Sequence, residues 1–130
     1  MQECSELIDF FKNGEFGGNS VMLGTPRYWR EGGRDAVIGG DLEILHNIIQ
    51  KVDVVSPWTV GRYSTIAGAQ NDARVNVKAD IAWCNQRSLL LMPVIWPGFS
   101  WHNLQASGEN PSNPGPYDQI PRKQGNTYLL

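Results

Sequence analysis

Three short stretches gather the residue types that recognise polar ligands: GTPRYWREGG (24–33), SPWTVGRYS (56–64) and WPGFSWHNL (96–104). Each combines tryptophan with a basic, hydroxyl or amide partner. Flat aromatic faces pack on the apolar C–H face of a sugar ring, while Arg, His, Asn and Tyr hydrogen-bond its hydroxyls, so the pattern points to carbohydrate. Phosphate or nucleotide sites would need glycine-rich amide cradles, and neither a GxGxxG nor a Walker lysine motif occurs. Glycoside hydrolysis generally needs two acidic groups flanking the scissile bond. Glu31, after Trp29-Arg30, is the carboxylate best placed, and Asp35 is a weaker second. Glu3 and Glu6 have i, i+3 spacing, but they open an expected helix, where acids favourably meet the helix dipole. His102, with only His46 as company, does not make half of a metal site, so no metal or cofactor is expected.

The elements that position these stretches follow from apolar spacing. Leu7, Phe10 and Phe11 predict a helix ending at Asn13-Gly14, followed by the strand VMLG (21–24). Asp41 is the expected cap of a second helix carrying Leu42, Leu45, Ile48, Ile49 and Val52, followed by the strand DVVSPW (53–58). A third helical region starts at Ser64 or Thr65 and runs to about Arg87, weakened by Gly68, Asn71 and Asn76; the strand LLLMPVIW (89–96) then stops at Pro97-Gly98. Strand starts 32 and 36 residues apart match βα units of a parallel sheet. Near-continuous apolar runs suit strands covered on both faces. The expected fold is therefore α/β: about three βα units with parallel strands near 21–25, 53–57 and 89–95 and helices on one side, as in part of a (β/α)₈ TIM barrel. A doubly wound sheet stays open as the alternative.

In both architectures ligands bind at the carboxyl ends of strands, which is where the three stretches fall. Trp29, Trp58, Trp96 and Trp101 are candidate site-lining residues, each weighed against core or loop anchoring. Trp83, inside the third helical region, reads as core, and His46 as a surface or satisfied residue. Arg30 and Arg62 divide evenly between ligand contact and clamping of loop carbonyls; Tyr63 and His102 join the candidate set.

Composition bounds the rest. With 130 residues, 41% hydrophobic and 18% charged, the chain suits one domain, with residues 104–121 as a long Pro/Gly/Asn/Ser-rich loop. A net charge of −2 offers no footprint for nucleic acid, and no stretch approaches the ~20 apolar residues of a membrane span. The first residues lack the pattern of a signal peptide. Cys4 and Cys84 read as a free, buried pair.

The stretches GTPRYWREGGRDA, DVVSPWTVGRY, ADIAWCNQR, PVIWPGFSWHNL and QIPRKQG together resemble glycoside hydrolase family 71/99-like proteins, whose best-known branch is the endo-mannosidases of family 99. The resemblance spans nearly the whole chain in order. It implies a (β/α)₈ barrel acting on a glycan or polysaccharide, commonly outside the cytoplasm, with Arg122 in the QIPR string near the site. Such families carry their catalytic carboxylates in a stretch resembling Asp-Glu-x-x-Glu-Gly-Thr, which does not occur here. The expectation is thus an internal segment of a barrel that binds glycan, inactive alone and open to self-association through uncovered barrel edges. A non-catalytic carbohydrate-binding or scaffold remnant is the alternative.

Overall fold

The computed structural model describes residues 2–15, 17–60, 62–63 and 65–94, together with two short strands at 99–100 and 118–119. The chain divides into two compact units, one of residues 1–58 and 79–94, the other of residues 59–78 and 95–130.

In the first unit, helix α1 (Gln2–Asn13) closes where Gly14 donates back to the Phe10 carbonyl at 2.9 Å. Strand β1 (Met22–Thr25), helix α2 (Gly40–Ile49) and strand β2 (Val54–Pro57) follow the expected spacing. The cap of α2 differs from expectation. Gly39 occupies the N-cap with φ of 62°, and Asp41 lies one position inside the helix, where its charge meets the dipole instead of capping an amide. Helix α4 (Lys78–Asn85) leads to strand β3, which is only Leu90–Leu91.

The three strands form one parallel sheet in the order β1-β2-β3, with Met22 opposite Val54 opposite Leu90, and Leu23 opposite Val55 opposite Leu91. Because alternate side chains point to opposite faces, the register sorts the sheet into two rows. The Leu23–Val55–Leu91 row packs against Ile8 of α1, Ile48 and Ile49 of α2 and Cys84 of α4, so all three helices cover the same face. The other row stays open: Met22 is 54% and Leu90 68% exposed. Among the described residues the helices thus lie on one side of the sheet, as expected. An apolar run reports that a strand is apolar, not how many layers lie on it.

Helix α1 forms where the spacing of Leu7, Phe10 and Phe11 predicts it and buries Ile8, while those three stay largely exposed. The cysteines bring a correction, since Cys4 is exposed and, of the two, Cys84 is buried.

In the second unit, helix α3 (Ile66–Asp72) starts at Thr65, whose Oγ1 accepts the Gly68 amide at 3.0 Å. A π-helical turn, Ala73–Val77, comes next, where the sequence already weakens a regular helix. Strands β4 (Phe99–Ser100) and β5 (Asp118–Gln119) pair antiparallel.

The amino end of the sheet is tied by Asp53. Its carboxylate accepts the Val21 amide and the Lys12 ammonium, each at 2.8 Å, joining the end of α1 to the starts of β1 and β2. The Lys12 hydrogen bond, then that of Val21, holds the Asp53 pKa below its ordinary value. A lowered folded pKa stabilises above the unfolded value, near 4, and that stabilisation is lost as pH falls through the folded value. Asp53→Asn is expected to flatten the acid limb of a stability-versus-pH curve below about pH 4. Acid limbs of equal slope in the two proteins would contradict the tie.

Cys84 sits in the core and its pKa is raised to about 11, first by burial and then by the charge of Asp80. A thiol reagent at neutral pH should consume one thiol per native chain, at Cys4, and a second only on unfolding. Rapid native reaction of both would overturn this placement.

Candidate functional site at the carboxyl end of the sheet

The loop leaving β1 folds back instead of opening outward. Asp35 holds its base: the carboxylate accepts the amides of Arg27 at 3.1 Å and Tyr28 at 3.3 Å. At Gly32, φ is 77° and a Cβ would lie 2.8 Å from the Val37 carbonyl oxygen, so the return turn needs glycine. Arg34 lies over the Tyr28 ring, 4.5 Å from its centroid, and its guanidinium donates to the Tyr28 hydroxyl.

Asp80, in the first turn of α4 and 2% exposed, fixes the other side of the loop. Its Oδ2 accepts Arg27 Nη1 at 2.6 Å, and its Oδ1 accepts Arg30 Nε at 2.8 Å. Arg30 Nη2 in turn donates to Glu31 at 2.8 Å. The Arg27 and Asp80 side chains are 2% and 3% exposed, Arg30 is 19% and Glu31 55%, so the chain of charges runs from core to surface. Burial alone would lower the Arg30 pKa, but hydrogen bonds to Asp80 and Glu31, with their charges, raise it overall.

Trp29 is turned inward. It is fully buried, with ring centroids 4.8 Å from Trp83 and 6.2 Å from His46, both edge-to-face. His46 Nε2 donates to the Trp29 carbonyl at 3.1 Å. An enclosed indole offers no face to a sugar, so Trp29 is corrected from a site-lining residue to a core residue. Trp83 packs against the core as expected, its outer face covered by the Arg87 guanidinium 3.9 Å from the ring centroid.

Trp58 has the opposite fate. Its amide donates to the Thr25 carbonyl at 2.9 Å, continuing the β1–β2 ladder, and its side chain stands 56% exposed just past the end of β2. The carboxyl edge of the first unit thus presents Trp58, Arg30 and Glu31. Arg62, exposed, and Tyr63, half-buried, belong to the second unit. Trp96, Trp101, His102 and Arg122 lie outside the described residues.

Asp80 is the residue that sequence reasoning missed. A signal existed: Asp80 and Cys84 are spaced i, i+4 on one face of α4, so a carboxylate on the core-facing stripe required a buried cation, and RYWR supplied two arginines. Among the described residues no group of three metal-ligating side chains occurs, and no helix is long and apolar enough to cross a membrane.

Fold and site define a mixed helix and strand protein with a three-stranded parallel sheet, with an exposed tryptophan just past the end of β2 and an arginine–glutamate pair in the loop after β1. No protein-family model, curated protein or solved structure matches the chain.

The two tryptophans give a direct contrast. Trp29→Ala is expected to cost about 3–5 kcal/mol of stability, as for other large core truncations. Trp58→Ala should stay within about 0.5 kcal/mol, as for an exposed position. Denaturant titration of both variants checks the assignment, and equal losses would contradict it.

Proposed function

We propose that the chain is a segment of a glycoside hydrolase-like (β/α)₈ barrel that binds a glycan at the carboxyl ends of its strands. Strand order supports the barrel. Right-handed crossovers that always step in the same direction place every helix on one face, whereas a doubly wound sheet reverses direction and covers both. Here the order is β1-β2-β3 and the three helices share one face. The open row of Met22 and Leu90 would then face a barrel interior. Left uncovered, that row and the sheet edges would promote the self-association expected from the sequence.

The observation that carries the glycan reading is Trp58: a large aromatic left more than half exposed at the end of the central strand, where such folds place ligands. The resemblance to glycoside hydrolase family 71/99-like proteins supports the ligand class. Binding without hydrolysis is favoured by the carboxylates of the β1 exit. Among the described residues around that exit, Asp35 is engaged by backbone amides, Asp80 of α4 by two arginines and Glu31 by Arg30, whereas the two-carboxylate mechanism needs two acids flanking the bond.

Titration calorimetry with mannose- and glucose-based oligosaccharides should show weak binding that Trp58→Ala reduces about tenfold, the scale of one aromatic contact worth ~1.4 kcal/mol. Aryl glycosides should not be turned over. Absence of sugar binding, or binding indifferent to Trp58, would sink the reading.

A further inference from the structure

Resting on the glycan reading, we infer that Arg30 and Glu31 form a single diol-recognising unit and that Asp80 is the positioning residue that aims it. Neutralising Arg27 would explain one oxygen of Asp80, since a guanidinium 2% exposed needs a local counter-charge. The second oxygen is spent differently. It takes Nε of Arg30, which lies nearer the surface, and so fixes the plane of that guanidinium from behind.

Glu31 then takes one N–H of Nη2. The Nη1 of Arg30 has no hydrogen-bond partner among the described residues, and Glu31, 55% exposed, has oxygen lone pairs beyond the one Arg30 uses. A donor and an acceptor are thus held side by side at the carboxyl edge of the sheet.

Two hydroxyls on neighbouring carbons match this arrangement. Each hydroxyl both donates and accepts, so one donates to Glu31 while its neighbour accepts from Arg30, and both bonds are charge-assisted. A lone cation would favour an anion instead. The pairing with Glu31 cancels the charge and selects a neutral polyol. Because Asp80 is buried and Arg30 is anchored through Nε, less side-chain freedom is lost on binding.

The test uses the full chain and a panel of methyl glycosides of mannose, glucose and galactose, carrying the tightest forward with its 2-deoxy, 3-deoxy and 4-deoxy forms. Affinity is read by calorimetry and folding by circular dichroism. The wild-type chain should lose about tenfold for the deoxy sugars lacking either member of one adjacent hydroxyl pair, the scale of one charge-assisted hydrogen bond. Glu31→Gln and Arg30→Gln should each lose about tenfold for the parent sugar and show no further loss with those same deoxy sugars. Asp80→Asn should reproduce that signature although it touches no sugar. Should Asp80→Asn fail to fold, Asp80→Glu serves in its place, because it keeps the buried charge and both Arg30 and Glu31 while displacing the carboxylate from the Arg30 Nε.

Parent-sugar affinity unchanged in Glu31→Gln, or lost equally across all deoxy forms, overturns this inference while the Trp58 reading stands. No sugar binding by the wild-type chain, or none that depends on Trp58, ends both.

Discussion

The carboxylate of Asp80 is the constraint around which the first unit is organised. A side chain 3% exposed cannot keep a charge without partners, because the cost of leaving water is several kcal/mol for each ion. Arg27 and Arg30 supply those partners from a loop about fifty residues away in sequence. Meeting their demand pulls the β1 exit down onto α4. Once there, Trp29 can only point between α2 and α4, against His46 and Trp83. The indole Nε1 finds no hydrogen-bond partner among the described residues, so packing and the ion pairs on either side of it in sequence keep Trp29 in place.

The sheet divides its work between its two ends. At the amino end, Asp53 gathers Lys12 and the Val21 amide, an arrangement that joins α1 to β1 and β2. At the carboxyl end the corresponding charges are layered, from buried Arg27 to exposed Glu31. Each end of the sheet is thus held by one carboxylate that gathers partners from separate elements, Asp53 near the surface and Asp80 in the core.

Much of this was legible from the chain. VMLG, DVVSPW and the Leu45–Ile48–Ile49 spacing marked their elements to within a residue or two, because apolar periodicity is local. Trp83 was legible as core for the same reason. LLLMPVIW marked β3 as well, whose ladder hydrogen bonds to β2 run from Leu90 to Val94, but the exposure of Leu90 is set by what lies across the sheet and not by the run itself. In helix α1 the spacing of Leu7, Phe10 and Phe11 marked the helix, but Ile8 is the residue that meets the core. Which stripe is used depends on where the helix lands. The partner that holds Arg30, Asp80, lies about fifty residues away on α4, beyond the reach of any local pattern.

Trp29 and Trp58 show why residue type alone does not define a site. Both tryptophans follow a proline within a few residues of a strand end, and both sit in strings rich in arginine and hydroxyls. What differs is the loop behind each. After β1 the chain has glycine to reverse at Gly32, Asp35 to accept its amides and Asp80 to fix two arginines, so the indole is drawn inward. After β2 the backbone is still bound to β1 at Trp58, and the last ladder hydrogen bond holds the residue at the edge before any reversal can bury it. An aromatic ring fixed by its own backbone and left exposed pays the cost of solvent contact continuously, and a ligand that covers it recovers that cost without reordering the strand.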